Sequence, residues 1–114
     1  MSVDNQCTVV VSSFDGFCDC WSYFSYGINK YWPNCPWPIV LLTCRKTPQY
    51  PQISALPLHQ DHGWAGNMIE ALKNIPSPYV LYMQEDYWID QPVDTALLKS
   101  YLAQMTEKNG FISA

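Results

Sequence analysis

Residues 7–13, Cys-Thr-Val-Val-Val-Ser-Ser, place three consecutive valines between hydroxyl-bearing neighbours. Successive side chains of a strand point to opposite faces, so a strand with one wet face alternates apolar and polar residues. A run that is apolar in both phases needs cover on both faces, which is the situation of a strand inside a parallel sheet. Such a strand asks for cover on both faces, as helices on the two sides of a parallel sheet provide.

The following residues supply the first of them. After an Asp15-Gly16 turn, Phe17, Trp21, Phe24, Ile28 and Tyr31 recur at spacings of four, three, four and three, one apolar stripe along a helix. Trp32-Pro33-Asn34 ends it, because proline cannot continue a helix and restricts the residue before it. Residues 38–43 read as a second buried strand. Residues 52–58 read as a weaker one, interrupted by Pro57 and therefore short or at an edge. A His-Gln-Asp-His-Gly loop at 59–63 leads into a helix over 64–74, with Trp64, Met68, Leu72 and Ile75 at helical spacing. A fourth strand over 79–83 delivers Gln84-Glu85-Asp86 at its carboxyl end. Residues 94–108 read as a third helix, N-capped by Asp94 or Thr95, with Leu97, Leu98, Tyr101, Leu102 and Met105 inward. Residues 111–114 have the composition of one more strand, with nothing after them to cover it. The order predicts an α/β fold, a mostly parallel, Rossmann-like three-layer sheet in a single domain over residues 1–114. Its abrupt end gives the expectation of a truncated domain.

Composition narrows the class of partner. With 114 residues, 48% of them apolar and 15% aromatic, the chain has the means to build one core and no second domain. Six Lys and Arg against ten Asp and Glu leave a net charge of −4 and no basic stripe, which argues against a nucleic-acid partner. No run is long and apolar enough for a transmembrane segment, and the first residues lack the charge and apolar pattern of a secretion signal. Five cysteines follow neither a disulfide framework nor paired zinc-ligand spacing, so they are expected to be reduced thiols in a cytoplasmic protein, one that can work at the inner face of a membrane.

Three clusters fall at strand ends, where open α/β sheets bind ligands. At the end of the fourth strand, Glu85 and Asp86 are adjacent carboxylates suited to a hard divalent cation, Mn²⁺ or Mg²⁺, though an acidic turn after a strand is also ordinary surface. At the end of the first strand, Ser12 and Ser13 precede the Asp15-Gly16 turn, a natural phosphate or nucleoside pocket, with Asp15 able to accept from a base or ribose. At the start of the second helix, Gly63 and Gly66 permit close backbone approach, Asn67 can point into the same cleft from the first helical turn, and Trp64 stands with it as a candidate ligand contact. His59 and His62 are candidate bases or ligands, but a loop histidine is usually a surface residue.

Four stretches in this order, Val-Val-Ser-Ser-Phe-Asp-Gly, Tyr-Trp-Pro-Asn-Cys-Pro-Trp-Pro-Ile, Gly-Trp-Ala-Gly-Asn-Met-Ile-Glu-Ala-Leu and Tyr-Val-Leu-Tyr-Met-Gln-Glu-Asp-Tyr-Trp-Ile, resemble bacterial glycosyltransferases of the GT-A fold from polysaccharide and lipopolysaccharide biosynthesis. The resemblance runs from about residue 8 to residue 105. It implies the donor-binding front half of an enzyme that transfers a sugar from a nucleotide-diphosphate sugar, UDP- or GDP-type, to a glycan acceptor. Glu85 and Asp86 then correspond to the DxD-type motif for metal and diphosphate, with Gln84 in place of the first aspartate. Ser12, Ser13 and Asp15 border the nucleoside pocket, and Asn67 lies near the ribose or sugar. The family's acceptor-binding half and base come after residue 114, so no catalytic base is named. Two readings from other classes stand beside this one. The first is a catalytically inactive interaction module that forms a homo-oligomer or completes its fold with a partner chain. The second is a small phosphoacceptor domain, disfavoured by the lack of a lysine partner late in the chain.

Overall fold

A computed structural model describes residues 6–85, 89 and 91–108. Asp86, the residues 87–88 beside it, and the strand expected over 111–114 lie outside the described residues. The elements are β1 (Cys7–Ser12), a 3-10 segment (Asp15–Cys20), α1 (Trp21–Tyr31), β2 (Ile39–Thr43), β3 (Ile53–Pro57), α2 (Gly63–Lys73), β4 (Tyr79–Gln84) and α3 (Thr95–Lys108). The four strands form one sheet in the order β3-β2-β1-β4, and every neighbouring pair is parallel.

The three valines of β1 do what their run demands. Val9 and Val11 join Trp21, Phe24 and Ile28 of α1 and Leu102 of α3 on one face, while Val10 joins Ala71 and Met68 of α2 on the other. All three valines are fully buried. Burial of this kind is worth about 1.5–3 kcal/mol per side chain, and it requires helices on both sides, so the sheet is the middle of three layers. The placement also follows from connectivity. The crossover through α1 steps from β1 to β2, whereas the crossover through α2 steps back from β3 past β2 and β1 to β4. Two crossovers in opposite directions share one hand only if their helices occupy opposite faces. Pro57 ends the edge strand β3, where its missing N–H costs no ladder bond.

Three expected stripes are revised. The first helix begins at Trp21 and not at Phe17, whose φ of −105° and ψ of 19° are not helical. The Phe17 amide bonds back to the Phe14 carbonyl at 3.0 Å, and the two rings meet edge to face at 4.5 Å, so the turn closes on itself before the helix starts. In α2 the covered side is Met68, Ala71 and Ile75, while Trp64 and Leu72 are exposed. In α3 Leu98 and Leu102 pack inward, but Leu97 and Tyr101 are 46% and 42% exposed, because the helix meets the sheet along one narrow seam. The side chain of Met105 lies outside the description. Asp94 caps α3 as expected, its Oδ1 accepting from the Leu97 N–H at 3.0 Å, while the Thr95 hydroxyl accepts from Trp32 Nε1 at 2.8 Å.

All five cysteines are free. Burial, with Cys35 nearby, pushes the Cys7 thiol up to about 11, and burial also raises Cys35. Both behave as small apolar residues and not as nucleophiles. No helix among the described residues is long and apolar enough to cross a membrane.

Candidate functional site at the switch point of the sheet

Strand order reverses between β1 and β4: the chain first builds outward from β1 to β2 and β3, then returns to add β4 on the other side. α1, which follows β1, packs on one face and α2, which leads into β4, on the other, and open sheets form a crevice at the carboxyl ends of the strands beside such a reversal. A cleft of about 290 Å³ lies there. Ser12, Ser13, Gln84 and Glu85 come from the ends of the two paired strands, in register at Ser12 and Gln84. Phe14 and Phe17 come from the turn after β1, and Asp61, Gly63, Trp64 and Asn67 from the start of α2.

Five of the residues singled out from the sequence, Ser12, Ser13, Trp64, Asn67 and Glu85, thus line one cleft. Their hydrogen bonds separate them. The Ser12 hydroxyl has no hydrogen-bond partner among the described residues and faces the cleft ready for one. Ser13 is committed: its Oγ accepts from Trp21 Nε1 at 2.9 Å, tying the end of β1 to the first turn of α1. Asn67 is committed as well. Its Oδ1 accepts from the His62 N–H at 2.9 Å, and its Nδ2 donates to Asp61 Oδ1 at 3.1 Å. The same Asp61 oxygen accepts from the Gly63 N–H at 3.0 Å. The amino end of α2 is therefore closed by its own side chains, and Asn67 shapes the cleft wall while holding that closure. Gly63 has φ of +77°, a conformation that glycine adopts without strain. A Cβ on Gly66 would stand 2.5 Å from His62 Cβ, so this glycine admits the protein's own loop and not a ligand.

Asp15 is placed elsewhere. Its Oδ1 accepts from the Cys44 N–H at 3.0 Å, its Oδ2 from the Arg45 N–H at 3.0 Å, and both approach the Lys46 N–H at 3.4 and 3.3 Å. It does not line the cleft; it ties the turn after β1 to the end of β2. Desolvation pushes this carboxyl up, but the amides of Arg45, Cys44 and Lys46 and the Lys46 charge together outweigh it and hold the carboxyl below its usual value. His59 and His62 are both exposed and outside the lining.

Three lining residues were not singled out as ligand-binding by the sequence reading. Asp61 was legible as a polar residue two before a glycine and six before an asparagine, the pattern of a side-chain cap. Phe14 and Phe17 were hidden by the assumption that Phe17 starts a helix. Glu85 is 8% exposed and lines the cleft. With Asp61 it gives the lining two acids and no base among the described residues. No group of three His, Cys, Asp or Glu side chains gathers as a metal site among the described residues. The donor set fits a hard cation held by one or two carboxylates, with water and ligand oxygens completing its shell, and does not fit a protein-only cage. No protein-family model, no curated protein and no solved structure matches this chain.

Proposed function

We propose that the chain is the donor-binding portion of a GT-A-fold glycosyltransferase, holding a UDP- or GDP-type nucleotide sugar for transfer to a glycan acceptor. The observation that supports this reading best is the joining of Ser12, Trp64, Asn67 and Glu85 in one cleft at the switch point of a parallel sheet, where such sheets receive nucleotides. The negative lining explains why a cation belongs to the reading: without one, Asp61 and Glu85 would repel a diphosphate. Glu85, with Asp86 beside it in sequence, would hold Mn²⁺ or Mg²⁺. When bound, the cation supplies the positive charge that opposes the diphosphate in binding and as leaving group. Within the chain, Ser12 offers an uncommitted hydroxyl, and the closed Asp61–Asn67 pair fixes the wall on which Trp64 stands.

Calorimetric titration with UDP and with GDP, each with and without Mn²⁺, tests the reading. We expect binding that Mn²⁺ strengthens. An absence of heat with every combination would leave the inactive interaction module as the better account. That second reading draws on the exposed Leu97–Tyr101 stripe of α3, and sedimentation at two concentrations would show self-association if it holds.

A further inference from the structure

Within the cleft, one hydroxyl organises two side chains. Trp64 Nε1 donates to Tyr82 Oη at 2.8 Å, and Gln84 Nε2 donates to the same oxygen at 2.8 Å. Tyr82 and Gln84 are two apart on β4 and so point to the same sheet face, the α2 face, where Trp64 starts its helix. The Trp64 and Tyr82 rings meet edge to face, with centroids 5.9 Å apart and planes at 79°. Trp64 nevertheless remains 60% exposed. An exposed tryptophan usually samples several rotamers; this one is fixed at its polar tip, and its ring lines a cleft. Gln84 has spent one N–H on Tyr82. It keeps one N–H and its carbonyl oxygen, an adjacent donor and acceptor, also at the cleft.

A flat heterocycle with a donor and an acceptor on its edge is the ligand chemistry that matches both features at once. We infer that Trp64, Tyr82 and Gln84 form a nucleobase site: the base stacks on the Trp64 ring, the Gln84 amide pairs with its edge, and Tyr82 positions both. This assigns Gln84 a reading role in place of the cation-ligand role its place before Glu85-Asp86 suggests. An amide is a poor substitute for a carboxylate at a cation, and its anchoring to a tyrosine hydroxyl turns it to another use. The inference rests on the nucleotide-sugar reading and goes further by naming which moiety occupies this wall and by what contacts.

The test uses the purified chain with uridine, guanosine, UDP and GDP, the diphosphates with Mn²⁺, followed by calorimetry and tryptophan emission. Subtracting the emission of Trp64→Phe from that of the unaltered chain isolates Trp64. We expect its emission to be quenched on binding, and Trp64→Phe, which still offers a ring, to keep most of the affinity. Trp64→Ala should lose about tenfold or more, the size of one base–aromatic stack. Gln84→Ala should weaken binding and narrow the gap between uridine and guanosine, which a merely structural role would not do. Tyr82→Phe keeps the ring but frees both partners, and should lower affinity severalfold while restoring mobility to Trp64, read as lower emission anisotropy. Undiminished affinity in Trp64→Ala, with its thermal melt unchanged, would overturn this inference alone. Failure of the unaltered chain to bind any of the four probes would overturn the donor-site reading with it.

Discussion

Two corners at the carboxyl edge of the sheet carry comparable numbers of polar groups and use them in opposite ways. At the β1–β2 corner, the Asp15 oxygens are taken up by the amides of Cys44, Arg45 and Lys46. The Thr43 hydroxyl donates to the Lys46 carbonyl at 2.6 Å, and the Lys46 ammonium reaches Cys18 Sγ at 3.4 Å. At the β1–β4 corner, the Tyr82 hydroxyl gathers Trp64 and Gln84 but leaves a ring face, an amide edge and the Ser12 hydroxyl toward a cleft. Polar groups that close on one another make architecture; polar groups held in place with capacity left over make a site. The sheet order explains which corner is which. The β1–β4 corner lies at the switch point, where open parallel sheets form their ligand crevice, and the β1–β2 corner does not.

The largest effect that could break this contrast is at Asp15. Substituting Asp15→Ala leaves three amides without their acceptor, and we expect a loss of about 2 kcal/mol, discounted for solvent access from the value of charge-assisted hydrogen bonds. For a domain of this size that is a fall of very roughly 10 °C in Tm by circular dichroism. The change should also depend on pH. The folded carboxyl titrates below its ordinary value, 3.8. As pH falls, the unfolded chain therefore takes up the proton first and is favoured. The stabilisation is complete above the unfolded value and disappears as pH drops through the folded one. The gap in Tm between the unaltered chain and Asp15→Asn should thus be widest well above 3.8 and close as pH falls through and below it. A gap independent of pH would mean that the carboxylate charge does not hold this corner.

A smaller effect is expected where architecture and site share a residue. Asn67 closes the amino end of α2 through Asp61 and His62 and also lines the cleft. Asn67→Ala should cost about 1 kcal/mol, the usual value of a lost cap, and weaken nucleotide binding indirectly by loosening the loop that carries Trp64. If calorimetry instead finds a large loss of affinity with no change in the thermal melt, Asn67 belongs to the ligand and not to the cap.

The line between the two corners also marks how much the sequence discloses. Burial on both faces of β1 was readable because three adjacent valines admit one explanation, and the alternation of strands and helices followed from it. Pro57 left β3 either short or at an edge, and the sheet order places it at the edge. The covered side of α2 was not, because Trp64 fits the apolar stripe by spacing alone. What turns it outward is an indole N–H that must reach a hydroxyl eighteen residues away on β4. Asp15 shows the same limit from the other side. Asp-Gly after a strand is consistent with a ligand pocket and with a turn, and only the approach of residues 44–46, about thirty positions later, decides between them. Periodicity reports which face is apolar; it carries no record of which polar group a distant strand will present.

The smallest effect on stability should come from Trp64 itself, and it sharpens the comparison most. With its ring largely in solvent, Trp64→Ala removes one hydrogen bond and one edge-to-face contact while opening no core cavity. We expect a change in folding free energy within about 1 kcal/mol. Asp15→Ala should therefore lower Tm more than Trp64→Ala, although Trp64 is much the larger side chain. If the order is reversed, Trp64 is part of the packing that holds α2 to β4, and the β1–β4 corner is closed architecture like its neighbour. If the order holds, Trp64 is exposed and anchored at its indole N–H with little benefit to the fold, as the proposed base-stacking role requires.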